Sequence, residues 1–396
     1  MKTDFLIIGA GIVGLSIARA LQQRHPGRRI DIIEKETDVA RHASGRNSGV
    51  LHAGFYYTED SLKAKFTREG NLRLKEFCRE YGLPINPCGK VVVAQKEDEI
   101  GTLHELERRG KANGVNVSII DESSVREIDP NIRTCRYALH SPETATVDPR
   151  AVVRKLRDII VAEGGRLHLD TSYLYQLGRG HVRTTRGSFD VGTVINCAGL
   201  YADKIAGSFG FGEKYTIIPF KGIYLKYSGD IPPVRTNVYP VPNLRNPFLG
   251  VHYTVTVDGA VKIGPTAIPA FWRENYKGWE RFDPNDLAEI LWYETRLFLE
   301  NRFHFRELAY EEFRKYSRRH LAELAGGMVM KADPERFDTW SIPGIRAQLL
   351  DTSTLELLQD FVVEGDERSV HILNAVSPAF TCAFPFAEWI VDSMIS

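Results

Sequence analysis

Three glycines at fixed spacing, Gly9, Gly11 and Gly14, follow the apolar run Asp4-Phe5-Leu6-Ile7-Ile8 and open a helical pattern from Ile12 to Gln23. That spacing suits a phosphate cradle. Gly9 permits a tight turn out of a strand, Gly11 lets a pyrophosphate approach the backbone, and Gly14 lets the helix pack close to the sheet. The free N–H groups of the first helical turn, Ile12 and Val13, then face the phosphates together with the positive end of the helix dipole. Glu34 ends the next strand, Ile30-Asp31-Ile32-Ile33-Glu34, about 20 residues on, with Lys35 after it. A carboxylate there accepts hydrogen bonds from a ribose and disfavours a 2′-phosphate. The unit reads as strand, glycine turn, helix, strand, and holds a dinucleotide. On its own it does not separate FAD from NAD.

A second set of residues suits proton and carboxylate chemistry. In Pro343-Gly344-Ile345-Arg346 a glycine turn can present the Arg346 guanidinium as a fork to a carboxylate. His252, within residues 249 to 254, and His52 are candidate bases, because imidazole titrates near neutrality and can be both proton-free and a competent acceptor. Either histidine can equally serve to order its own loop. Lys221 can meet a distal carboxylate or stand as a solvated strand residue. Tyr57 and Tyr253 can hydrogen-bond a substrate or simply pack. In Ser377-Pro378, serine suits a helix cap and proline the first helical position, so a helix is expected from there to Met394. Its positive end, aimed at a ring that gains negative charge, would stabilise that charge.

These groups need a scaffold larger than one core. The 396 residues favour two intimately packed domains. Besides the first unit, strand-turn-helix patterns appear at residues 193–207 and 370–394, so a nucleotide-binding domain is expected from dispersed segments: 1–85, 142–215 and 341–396. Residues 86–141 and 216–340 are left for a second domain. Within it 89–94, 221–225 and 260–263 read as strands of a mostly antiparallel α+β unit. Residues 284–324 turn helical, with Leu287, Ile290, Leu291, Leu297 and Phe298 on one stripe. That stretch also carries Trp292, Tyr293, Phe303, Phe305 and the cluster Lys315, Arg318, Arg319, His320. A packed face with a solvated basic face is the expected arrangement, and contact with a membrane surface or a partner the alternative.

Composition excludes other classes. The 51 basic and 51 acidic side chains cancel, without the basic footprint of a nucleic-acid binder. Five dispersed cysteines without a C-x-x-C pattern argue against a disulfide framework and a zinc site, so no metal is expected and a reducing, cytoplasmic setting is. The stretch from Lys2 to Ala20 superficially resembles a secretory signal, but Asp4 and the glycines interrupt it, and no segment reaches the length of a membrane span.

The segment Ser44-Gly45-Arg46-Asn47-Ser48-Gly49-Val50-Leu51-His52-Ala53-Gly54-Phe55-Tyr56-Tyr57, with Ser61-Leu62-Lys63-Ala64, resembles the flavin-contacting loop of L-2-hydroxyglutarate oxidases and dehydrogenases, flavoproteins of the D-amino-acid-oxidase type. Similar stretches follow in order: 142–149, Val194 to Asp203, Gly344 to Gln348 and Asn374 to Ala379. They span nearly the whole chain, most densely in residues 3–206 and 341–392. The resemblance implies a Rossmann-like α/β domain that binds FAD through Ser44, Arg46, Asn47, Ser48, Gly49, Leu51, Cys197, Ala198, Gly199, Arg346, Ser377, Pro378, Ala379, Phe380 and Thr381. It also places His252 in a substrate-side motif. Where related chains tend to carry arginine and glutamate, this one has Lys221 and Ile223, and the pattern departs again after Gly264.

The implied reaction moves hydride from a small L-2-hydroxy acid, 2-hydroxyglutarate or a relative, to flavin N5. An amine substrate, as in glycine and sarcosine oxidases, and a non-catalytic FAD-binding partner are the alternatives. Oxygen, a quinone or a redox protein would reoxidise the flavin, with peripheral contact at the inner face of a membrane a further expectation.

Overall fold

In the computed structural model, which describes residues 1–178, 180–243 and 250–395, the run from Lys2 to Ile8 forms a central strand. Its second half, Phe5 to Ile8, is apolar and buried throughout because other elements cover both faces. Ile30–Ile33 pairs with it in parallel on one side and Gly187–Asn196 on the other. Arg166–His168 and Ser369–Asn374 extend the parallel set. The antiparallel strands Tyr173–Gly178, His181–Thr184 and Val362–Gly365 complete eight strands. The helix Ile12–Arg24 buries Ile12, Leu15, Ile17, Ala18 and Leu21. It packs against Ala379–Met394, which in turn packs on Leu62–Glu80. The nucleotide-binding half is thus assembled from segments far apart in the chain.

A second eight-stranded sheet runs Phe337–Trp340, Leu225–Tyr227, Val261–Gly264, His252–Val255, Asn237–Pro240, Lys90–Val93, Tyr137–Ser141, Ser118–Asp121. Neighbours are antiparallel except Asn237–Pro240 with Lys90–Val93. Alternation divides this sheet into two unlike faces. Val91, Val93, Val238, Tyr253 and Val255 pack towards Leu321, Ala322 and Ala325 of the helix Arg318–Gly326. The opposite face carries Lys90, Val92, Tyr239, His252 and Lys262, with Val92 and Tyr239 against Phe55. Between the two sheets, Tyr215–Gly222 pairs along its length with Gly344–Asp351 and near its end with Ile268–Pro269.

Several sequence expectations are corrected here. The stretch 284–324 is three helices, Pro284–Glu300, Phe305–Arg314 and Arg318–Gly326; the first break falls where Asn301 and His304 take left-handed backbone angles, and Ser317 caps the start of the third helix. Of the expected stripe Ile290 and Leu297 are buried and Leu287 half-buried, while Leu291 and Phe298 are exposed, because the face that the first of these helices packs inward runs through Leu287, Ile290, Tyr293, Glu294 and Leu297. Lys315 is not part of a solvated basic face. It is buried and ion-paired with Glu312. Ser377 does not cap the last helix, which begins at Ala379 with Pro378 as its cap; the Ala379 N–H donates instead to the Val376 carbonyl at 2.9 Å. Leu249 and the side chain of Phe303 lie outside the described residues. Among the described residues no helix is long and apolar enough to cross a membrane.

The unusual segment after Gly264 is anchored by Arg273, which is wholly buried. Its guanidinium donates to both carboxylate oxygens of Asp203, at 2.7 and 2.8 Å, and through Nε to Asp286 at 3.2 Å. Removing one partner leaves a buried charge uncompensated. Arg273→Met is therefore expected to lower unfolding stability by about 3–5 kcal/mol, read from urea transitions followed by far-UV circular dichroism.

Candidate active site

The glycine turn is tight by necessity. Gly9 has φ +105°, and a Cβ there would lie 2.5 Å from the Cys197 carbonyl oxygen. A Cβ on Gly14 would lie 2.1 Å from the Gly9 oxygen, so the helix sits on the strand only because position 14 lacks a side chain. A Cβ on Gly11 would meet Ser44 Oγ at 2.9 Å. That hydroxyl accepts the Ile12 N–H at 2.9 Å, satisfying one of the helix's orphan donors. Glu34 accepts the Ala10 and Glu36 N–H groups, at 2.9 and 3.0 Å, which fixes its carboxylate at the end of the cradle.

A cavity of about 670 Å³ runs from this cradle between the two halves. Gly9, Gly11, Ile12, Val13, Gly14, Glu34 and Lys35 line one end. Ser44, Arg46, Asn47, Ser48, His52, Cys197, Ala198, Gly199, Arg346, Ser377, Pro378, Ala379, Phe380 and Thr381 line the rest. Gly49 and Leu51, also expected there, are not lining residues. Gly49 turns the chain against the Val147 carbonyl, and Leu51 points into the core, so Val50 between them faces the cavity. The Lys35 ammonium is paired with Glu274 and lies 4.6 Å from the Tyr201 ring centroid. Glu36, His42 and Glu274 are the one group among the described residues whose ligand atoms converge closely enough for a metal. Arg281 and Lys35 already neutralise those carboxylates.

Of the catalytic candidates, His52 and Arg346 line this cavity, whereas His252 is buried and is not among its lining residues. His252 Nδ1 lies 2.8 Å from the Gly250 carbonyl, an acceptor, so Nδ1 carries the proton and Nε2 the lone pair. Its ring stacks on Tyr239 at 3.7 Å. Burial holds its pKa down to about 3, and the nearby charges of Lys90, Arg346 and Lys262 act in the same direction. His52 is fixed by its backbone N–H to Thr381 Oγ1 at 3.1 Å. Burial, then Lys90, His252 and Lys63, keeps that ring neutral as well, with its pKa well below the ordinary value. Arg346 donates to the Thr266 carbonyl at 3.1 Å and borders the cavity together with Tyr224.

Three other expected ligands are not in this cluster. Lys221 pairs in register with Ile345 whereas Arg346 pairs with Phe220, so Lys221 leaves the opposite face of the strand and donates to Asn275 at 3.1 Å. Tyr253 is on the core face of its sheet, one residue out of phase with His252, packed against Phe337. The Tyr57 ring sits over Lys63, 5.9 Å from its ammonium, and does not line the cavity.

Sequence reasoning also missed residues. Lys90 is wholly buried, its Nζ 4.0 Å from the Tyr239 ring centroid. Burial lowers its pKa to about 7. Lys262, over Tyr224 at 4.6 Å, and Lys63 are lowered to about 8 by burial. The signal was present in Lys90-Val91-Val92-Val93, where a lysine occupies a strand otherwise apolar on both faces.

Residues 4–393 match the family model of the FAD dependent oxidoreductases. The chain belongs to this family. It is 35% identical over 397 residues to an L-2-hydroxyglutarate dehydrogenase of Escherichia coli strain K12, covering 99% of this chain and 93% of that one. It is 33% identical to the mitochondrial L-2-hydroxyglutarate dehydrogenase of Homo sapiens, covering 99% and 88%. Among solved structures it resembles the L-alpha-glycerophosphate oxidase of Mycoplasma pneumoniae with FAD bound, at TM-score 0.76 and 21% identity, covering 99% of this chain and 94% of that one. Glycine oxidase from Geobacillus kaustophilus gives TM-score 0.72 and 17% identity, with coverage of 99% and 94%.

The cradle suits the pyrophosphate of FAD: Gly9 and Gly14 stand where a Cβ would overlap backbone, and a Cβ on Gly11 would press on the Ser44 hydroxyl at the mouth of the turn. Gly14→Val should therefore weaken FAD retention by at least about tenfold, or 1.4 kcal/mol, read as the flavin-to-protein absorbance ratio after gel filtration.

Proposed function

We propose that this oxidoreductase converts L-2-hydroxyglutarate, or a closely similar L-2-hydroxy acid, to the 2-oxo acid. The observation that carries the reading is a neutral imidazole with a free lone pair, His252, buried within electrostatic reach of Arg346, which lines the flavin cavity together with His52. The family relatives named for L-2-hydroxyglutarate support the same substrate class.

In this reading the Arg346 fork holds the carboxylate adjacent to the hydroxyl carbon, through charge-assisted hydrogen bonds. That places the hydroxyl against His252 Nε2, which takes its proton as general base. Bound in the cavity, FAD would supply the acceptor for the hydride leaving the hydroxyl carbon. His52 is held by Thr381 at the cavity wall and orients the hydroxyl. A substrate anion beside His252 raises its proton affinity just when the proton must move. Once the product has left, burial and the neighbouring cations return the ring to its neutral form.

An amine substrate would need no proton-accepting imidazole if delivered with its lone pair free. Anaerobic mixing with panels of 2-hydroxy acids and of amino acids separates the two: bleaching of the flavin by amino acids alone overturns the hydroxy-acid reading.

Arg346→Ala should retain FAD and lower kcat/KM for L-2-hydroxyglutarate on the order of 10²-fold, mostly through KM; unchanged Michaelis behaviour would refute the assignment. His252→Asn should instead lower kcat by about 10²–10⁴-fold, seen as slower flavin reduction in stopped flow. Because the free-enzyme pKa of His252 is depressed, the base is already proton-free well below neutrality. The pH profile of kcat/KM should accordingly stay flat between about pH 5 and 6.5, whereas an unperturbed histidine would give an acid limb centred near about 6.5.

A further inference from the structure

The Arg346 guanidinium borders the cavity and donates to the Thr266 carbonyl at 3.1 Å. The N–H of that same peptide unit belongs to Ala267, and it donates to Glu312 Oε2. A trans peptide is flat, with its C=O and N–H pointing in opposite directions. Arg346 and Glu312 therefore grip one plate from its two edges. Thr266, Ala267 and Glu312 are all buried. Thr266 is stitched to the neighbouring chain: its N–H donates to the Ile223 carbonyl at 3.1 Å and its hydroxyl to the Lys221 carbonyl at 2.9 Å, while that hydroxyl accepts the Ile223 N–H at 3.1 Å. Glu312 comes from the helix Phe305–Arg314 and is steadied by its ion pair with the buried Lys315.

Neither Glu312 nor Lys315 lines the cavity, yet the Glu312 carboxylate is near enough to act on Arg346 electrostatically. Taking that carboxylate away removes the acceptor of a buried N–H, which is costly unless the peptide turns to find another. Turning it over would present an N–H to the guanidinium, donor against donor. Arg346 would then lose a bond that sets its orientation, and bidentate capture of a carboxylate depends on that orientation.

We propose that Glu312 is a positioning residue for substrate binding: it fixes the Thr266–Ala267 peptide, whose carbonyl holds Arg346 at the angle from which the guanidinium meets the substrate carboxylate. This rests on the reading of Arg346 as the carboxylate holder. It also gives a purpose to the charge pair buried in a stretch where a solvated basic face was expected.

The test replaces the Glu312 and Lys315 pair in the FAD-loaded enzyme by uncharged side chains of similar size, both at once so that no lone ion is left buried. Glu312→Gln with Lys315→Met keeps an oxygen for the Ala267 N–H, whereas Glu312→Leu with Lys315→Met offers none. The leucine pair should raise KM for L-2-hydroxyglutarate by about tenfold with kcat within about threefold. The glutamine pair should restore KM to within about threefold of wild type. With Arg346→Ala added to each, the difference between the two pairs should shrink below about twofold, because residues acting through one another lose their separate effects. If the leucine pair does not fold, Glu312→Asp serves in its place, since it keeps the charge but withdraws the oxygen by one methylene, and the same rise in KM is expected.

Equal KM in the two pairs, a loss confined to kcat, or a difference that persists beside Arg346→Ala would each overturn the assignment. An Arg346→Ala enzyme with unchanged KM marks failure of the carboxylate reading instead. In that case, or if L-2-hydroxyglutarate does not reduce the wild type, crystal structures of the two FAD-loaded pairs judge Glu312 directly. The bond from Arg346 to the Thr266 carbonyl kept in the glutamine pair and lost in the leucine pair sustains the positioning role; the same arrangement in both removes it.

Discussion

The turn at Gly9 passes so close to the Cys197 carbonyl that a side chain at position 9 would overlap it, and the helix behind the turn lies equally close because position 14 is bare. This double approach locks the first strand to Gly187–Asn196 and aims the helix amino terminus along the cavity. Everything that reaches the flavin is placed relative to that point. Ser44 rests on the first N–H of the helix. The last helix packs on the same helix and so delivers Ser377 to Thr381, and Thr381 in turn holds His52. A displacement at the turn would move both the dinucleotide and the candidate base.

The phosphate cradle was legible because its constraints are local: backbone angle, spacing and the strand on either side all lie within 34 residues. The dispersed strand-turn-helix pieces were legible for the same reason. What failed was parity and long-range register. His252 and Tyr253 were read together, yet a strand sends neighbours to opposite faces. The same oversight placed Gly49 and Leu51 in the cavity instead of Val50, and Lys221 beside Arg346 when register separates them. Lys90 stands out locally as a lysine in an apolar strand, but the groups around it, Tyr239, His252 and His52, come from distant segments. The broken helix at Asn301 and His304 had no glycine or proline to mark it.

Net neutrality also concealed how charge is distributed. Arg346, Lys63, Lys90 and Lys262 gather around two uncharged imidazoles, while Glu36 and Glu274 meet Lys35 and Arg281 near the other end of the cavity. The two clusters differ in kind: the second is closed by ion pairs and suits a fixed wall, whereas in the first, burial and the charge of enclosed cations hold two imidazoles neutral. Composition sums over both and reports zero.

The strand Ser369–Asn374 and the residues 377–381 close a cavity whose opposite wall is the first unit of the chain. A nascent polypeptide on the ribosome therefore has its phosphate cradle long before it has a complete flavin pocket. Domains tend to fold from the amino terminus as they emerge, but here the pocket stays open on one side until residues near 381 have left the exit tunnel. Enclosure of the cofactor therefore waits on residues more than 300 positions beyond the cradle that begins it, which ties flavin binding to the folding of the whole span between them.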